Sequence, residues 1–231
     1  MNVPTPRNGW RVLAGEVGVI VLGVLIALGA QQAVQEIQIR GEVKTFRETI
    51  DREIALSLWT YDARSSEVDC TNARIAQLNR LLDDYREGSI VALIDATYPR
   101  TFSSYRSAWD NRDGNVFAHL PAAARTKYAE FYDELANNEV VRIRERDAWT
   151  TLLPFEQAGP LSIDDRRKLH STARMIARFN EVQQGNLQGS RMIAKALGII
   201  PSKPDTISPE DILDTKTCGT LAETAGQGMR K

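Results

Sequence analysis

Val17 to Ala30 reads VGVIVLGVLIALGA, fourteen residues without a polar or charged side chain. With Val12 to Glu16 the apolar span is about nineteen residues and holds one carboxylate. A helix needs roughly twenty apolar residues to cross a bilayer core of about 30 Å. The pattern predicts a transmembrane helix over 12–32. A buried core helix is the other reading of such a run. It would need an apolar partner of similar size, and the chain contains none.

Beyond Ala30 the apolar positions recur in three- and four-residue steps. Val43, Phe46, Ile50, Ile54, Leu58 and Tyr61 form one helical stripe. Only Gly41 interrupts 31–61, so the membrane helix is expected to run on into it. A second helix is predicted over Ser65 to Arg86, burying Ile75, Leu78, Leu82 and Tyr85 and ending at Gly88-Ser89. Residues 90–115 read as a long connection with one or two short helices. A third helix opens at Leu120-Pro121, since proline is tolerated in a first turn. Tyr128, Phe131, Leu135, Trp149 and Leu152 are its expected buried positions, with a kink at Asn137-Asn138. Pro154 and Gly159-Pro160 break the chain.

Ser162 and Asp165 have the spacing of a capping box, which starts a fourth helix running to Leu197. Its stripe is Leu169, Ala173, Ile176, Leu187, Ala194 and Leu197. Gly198 is its expected C-cap, and Pro201 prevents continuation. A last short helix is capped at Ser208. No stretch alternates with period two over a strand's length, so no sheet is expected. The class is all-α: one N-terminal transmembrane helix continuing into an extracytoplasmic up-down bundle of about four long helices. The expected organisation is a short cytoplasmic tail over 1–11, the membrane helix over 12–32, the bundle over 33–200 and a tail over 201–231.

Arg7, Arg11 and Trp10 flank the span on its amino-terminal side, as a membrane interface favours. A secretory signal peptide shares this layout, and Ala27 to Gly29 would serve as its cleavage tripeptide. The span is long for that role, and no helix breaker follows it. Arg11 abuts the span, whereas the first base after it is Arg40, so the amino terminus is placed inside. The expected location is a bacterial inner membrane with the helical domain in the periplasm. A net charge of −1 gives no electrostatic reason to expect nucleic acid.

The span GEVGVIVLGVLIALGAQQ, the cysteine of Val68-Asp69-Cys70, and SAWDNRDGNVFAHLP followed by YAEFYDEL together carry a resemblance. The chain resembles an uncharacterised family of bacterial single-pass membrane-anchored helical proteins. The resemblance implies an anchored helical domain and transfers no functional residue.

Candidate chemistry is sparse. The two histidines, His119 and His170, lack metal-ligand spacing, and no GxSxG, P-loop or GxGxxG occurs. No catalytic, cofactor-binding or metal-binding residue is expected, and no cofactor. The acid pairs Asp83-Asp84, Asp164-Asp165 and Glu210-Asp211 suit helix ends. Arg142, Arg144 and Arg146, with Arg166, Arg167 and Lys168, are interleaved with acids and read as solvated faces. Trp59, Trp109, Trp149, Tyr105 and Tyr128 read as core rather than as a ligand cavity.

Two features point to interactions. Cys70 and Cys218 are the only cysteines, and in an oxidising space an even count predicts a disulfide. Glu16, Ile20, Gly23, Ala27 and Ala30 follow four-three-four-three spacing and fall on one helix face. Small residues there let a second transmembrane helix approach closely, and a carboxylate in that stripe is costly against lipid. The expected partners are the bilayer and another transmembrane helix, from a second copy or another subunit. The functional expectation is a membrane-anchored structural or accessory protein without catalytic activity. The alternative is a periplasmic ligand-sensing bundle acting through a partner.

Overall fold

The computed structural model describes residues 9–99, 104–205 and 219–222. It is mostly helical. Helix α1 spans Trp10–Ser65, which is about 84 Å at 1.5 Å per residue. A two-residue turn leads to α2, Val68–Asp83. The connection that follows carries α3, Ser107–Asp110, and α4, Gly114–Ala118. Helix α5 spans Ala122–Thr150 and α6 spans Ile163–Leu197. One short 3-10 turn, Leu153–Glu156, lies between them. The expected sequence of long helices is thus present; of the one or two short helices expected in 90–115, α3 lies inside it and α4 begins there and runs on to Ala118.

Two expectations are corrected. Helix α2 ends at Asp83, before Arg86. Helix α5 runs without a break through Asn137-Asn138, where the kink is expected; Asn138 is buried and accepts a hydrogen bond from Asn186 at 2.7 Å. There is also a small sheet. Strand β1, Ile90–Val91, pairs antiparallel with β2, Gly159–Pro160, with Ile90 opposite Pro160. Two residues per strand are too few to leave a period-two pattern, which explains why the pairing is invisible in the sequence.

The caps of α6 are as expected. Ser162 accepts from the Asp165 amide at 3.1 Å, and the Asp165 carboxylate accepts from the Ser162 amide at 3.1 Å. The Ser162 hydroxyl, which donates to the Asp165 carboxylate at 2.7 Å, and then the Ser162 amide hold that carboxyl below its usual range. Gly198 closes the helix at φ +77, a backbone region where a side chain is strained. The predicted short helix at Ser208, together with Glu210-Asp211 and Cys218, lies outside the described residues.

The chain divides into two compact units, Met1–Glu48 with Asp113–Leu120, and Thr49–Arg112 with Pro121–Lys231. In the first, α1 is exposed at every residue from 14 to 38, with Val19 72% and Ile37 71% accessible. This stretch is long and apolar enough to cross a membrane. Asp113 caps α4 by accepting from the Asn115 and Val116 amides, and Phe117 meets Phe46 edge to face at 6.4 Å.

The second unit holds the core. Helices α5 and α6 pack along each other and α2 packs on α6. Leu78, Leu82, Trp149, Leu152, Leu169 and Ile176 share one apolar cluster. Ile50, Ile54 and Leu58 of α1 are also buried. The segment at Leu221 and Ala222 closes one side: the Leu221 amide donates to Gln77 of α2 at 2.7 Å, and the Ile94 amide donates to the Leu221 carbonyl at 2.8 Å.

Candidate functional site

The second unit contains two buried polar centres, both formed between long helices. Glu53 of α1 is the first, at 7% exposure. Its carboxylate accepts from the Ser107 hydroxyl at 2.9 Å, the Ala108 amide at 2.6 Å and the Tyr132 hydroxyl at 2.8 Å. The four-residue α3 has no capping side chain of its own, so Glu53 supplies one from a distance of 54 residues in sequence. Trp109 then stacks on Tyr132 with ring centroids 4.5 Å apart, and the Arg112 guanidinium covers Trp109 at 4.1 Å. Burial, and next the Glu53 charge, push the Tyr132 phenol up, so it stays a donor. Both Glu53 oxygens are engaged, and this centre fastens the connection to α1 and α5.

The second centre gathers residues from four helices. Arg64, in the last turn of α1, donates through Nη2 to Glu145 of α5 at 2.5 Å and to Asn180 of α6 at 3.3 Å. Asn180 donates in turn to Asn72 of α2 at 2.9 Å. Gln183 of α6 donates to the other Glu145 oxygen. Arg64 and Glu145 are 8% and 2% exposed. A buried pair of this kind is costly to desolvate and is tolerated because further hydrogen bonds occupy the carboxylate.

A cavity of about 40 Å³ opens beside this pair, lined by Tyr61, Arg64, Asn138, Arg142, Gln184 and Leu187 among others. Four buried polar atoms at it make no hydrogen bond of ordinary geometry: Arg64 Nε, Arg64 Nη1, and Tyr61 Oη with Asn138 Nδ2, whose side chains face each other. All four can donate. Burial raises the Tyr61 phenol above its ordinary value, so its proton is retained. At the half-exposed edge Arg142 pairs with Glu139.

The residues singled out by sequence occupy other places. Glu16, Ile20, Gly23, Ala27 and Ala30 are all exposed along α1, and among the described residues nothing lies within 4 Å of where a Gly23 side chain would stand. Cys70 sits in the first turn of α2, while its expected partner Cys218 lies outside the described residues. His119 is exposed, with Nδ1 2.8 Å from the Asn115 carbonyl oxygen. Among the described residues no group of three or more His, Cys, Asp or Glu is placed to hold a metal ion. Arg167 pairs with Asp164 at 3.1 Å, and Arg166 donates to the Leu82 carbonyl at 3.0 Å. Trp149 and Tyr128 are fully buried, and Trp109 nearly so.

Arg64, Asn138, Glu145, Asn180 and Gln183 escaped the sequence reading. A signal for two of them was present: Asn138 and Glu145 continue the three- and four-residue steps of Phe131, Leu135 and Trp149. Polar residues on a buried stripe mark a hydrogen-bonded layer. Against protein-family models, curated proteins and solved structures, the chain matches none.

Proposed function

We propose that this chain is a single-pass, membrane-anchored accessory protein of a bacterial inner membrane, like the anchored helical proteins it resembles. Residues 1–11 face the cytoplasm, and a bundle of four long helices stands in the periplasm. It works by docking onto other proteins and not by catalysis. The observation that carries this reading is the stripe Glu16, Ile20, Gly23, Ala27 and Ala30 on an α1 segment with every side chain exposed. In a bilayer such a stripe favours a second helix, because Gly23 and Ala27 permit close backbone approach and Glu16 gains a polar neighbour.

Replacing Gly23 by Leu is expected to weaken association in a membrane two-hybrid or crosslinking assay. Val21→Leu, roughly opposite on the helix, should leave it intact. Unchanged association in both variants would reduce the stripe to an anchor surface.

The periplasmic placement predicts the Cys70–Cys218 disulfide. Gln77, which holds Leu221 and Ala222, follows Cys70 by seven residues, so both lie on one face of α2 about 10 Å apart. The three residues from Cys218 to Leu221 span up to about 10 Å, which suits the bond. Peptide mapping without reduction, on protein taken from membranes, should recover the linked pair. Two free thiols would remove both the bond and the orientation argument.

A second reading, a ligand-sensing domain acting through a partner, is favoured by the cavity beside Arg64 and its unpaired donors.

A further inference from the structure

The geometry points to a binding site for a small carboxylate in the cavity between α1, α5 and α6, with Arg64, Asn138 and Tyr61 as its donors. The inference deepens the ligand-sensing reading and does not depend on the membrane partner.

Three features carry it. The first is burial. Arg64 and Asn138 are 8% and 7% exposed, yet Arg64 Nε, Arg64 Nη1 and Asn138 Nδ2 make no hydrogen bond of ordinary geometry. A buried donor left unmade costs about 1–3 kcal/mol, more when charged, so three beside one cavity are a standing demand for oxygen. Glu145 does not meet it, since Arg64 reaches that carboxylate through Nη2 alone and Gln183 takes its other oxygen. Asn138 has its carbonyl engaged by Asn186, which leaves only its amide hydrogens turned to other use.

The second is size. The cavity measures about 40 Å³. One water needs roughly 10–15 Å³ on this scale, so the space suits about three or four non-hydrogen atoms, the size of formate or acetate. The half-exposed edge at Arg142, Gln183 and Gln184 would let a longer chain on the carboxylate leave toward solvent.

The third is chemical type. The free nitrogens, Arg64 Nε, Arg64 Nη1 and Asn138 Nδ2, can only donate, and a cation or ammonium ligand would leave all three unmet. Arg64 and Arg142 face Glu145 and Glu139, so fixed charge at the site is balanced. Recognition then comes from the uncommitted N–H and O–H groups, and a carboxylate offers two oxygens with about four lone-pair directions to receive them. Leu187 supplies an apolar wall for a methyl or methylene group.

The test uses the full chain in detergent micelles. Thermal unfolding is followed against sodium acetate, with sodium chloride at matched ionic strength and pH as the control. Acetate is expected to raise the midpoint along a saturating curve, as a ligand of the folded state must, while chloride gives no saturating component. Tyr61→Phe should weaken the apparent affinity roughly five-fold through loss of one hydrogen bond. Asn138→Asp keeps the acceptor for Asn186 but turns a donor into a carboxylate, and should abolish the saturating component. If that variant does not fold, Tyr61→Phe decides alone. Equal effects of acetate and chloride, or an unchanged affinity in the folded variants, would overturn the proposal and leave the cavity to water. Loss of acetate binding would not touch the Gly23 association result, so the two readings fail separately.

Discussion

Trp149→Ala is expected to lower the stability of the folded chain by about 3–5 kcal/mol, the range for emptying an aromatic site in a core. Trp149 is fully buried on α5 and shares a cluster with Leu82 of α2 and with Leu169 and Ile176 of α6. Its loss would leave a void touching three helices. It would also uncover a buried cation, because the Arg74 guanidinium lies 4.6 Å from the indole centroid. Arg74 is 2% exposed and donates to the Thr97 and Asp95 carbonyls at 2.6 and 2.5 Å, tying the connection after β1 to α2. Burial already pushes that guanidinium down from its ordinary value, against the charge of Asp95.

Trp149→Phe separates these terms. It keeps a ring beneath Arg74 and removes an indole N–H that has no partner, so it should cost less than half as much. Urea unfolding of both variants, read by helical circular dichroism, measures the difference. A cost below about 1 kcal/mol for Trp149→Ala would mean that the cluster closes over the void.

The helices of this chain were legible because their signals are local. The steps Ile75, Leu78, Leu82 and Leu169, Ala173, Ile176 depend only on spacing, and every one of these residues is buried. The ends of α6 were legible for the same reason, since Ser162 with Asp165 and Gly198 act within a turn of the backbone. The polar centres were not. A stripe search counts apolar residues, so Asn138 and Glu145 read as gaps, and Asn137-Asn138 read as a kink. What places them is a partner on another helix: Asn186 lies 48 residues from Asn138, and Arg64 lies 81 residues from Glu145. The same distance hides the capping of α3 by Glu53. It also hides the division of the chain at Glu48 and Thr49, which falls inside one uninterrupted helix.

The Arg64–Glu145 pair makes the strongest non-additive prediction. Glu145→Leu alone should cost about 3–5 kcal/mol, because it leaves the Arg64 charge buried at 8% exposure without its carboxylate. Arg64→Met alone should cost a similar amount by stranding Glu145, which is 2% exposed. The double variant removes both charges from a place where neither is well solvated. An apolar pair of similar volume is often close to neutral there, although Asn180 and Gln183 each lose a partner and draw some of that gain back. The double variant is therefore expected to be more stable than either single one, which requires a coupling energy across the cycle larger than either single cost, above about 3–5 kcal/mol. Denaturant unfolding of the four proteins at constant pH provides the measurement. Simple additivity would mean that each charge finds water on its own, and the buried layer would then have no claim to hold the four helices in register. The comparison also bears on the carboxylate site, since Arg64→Met removes two of its donors while Glu145→Leu leaves them all in place. A Glu145→Leu chain that still folds should therefore bind acetate at least as tightly as the parent, with the guanidinium freed from its competitor.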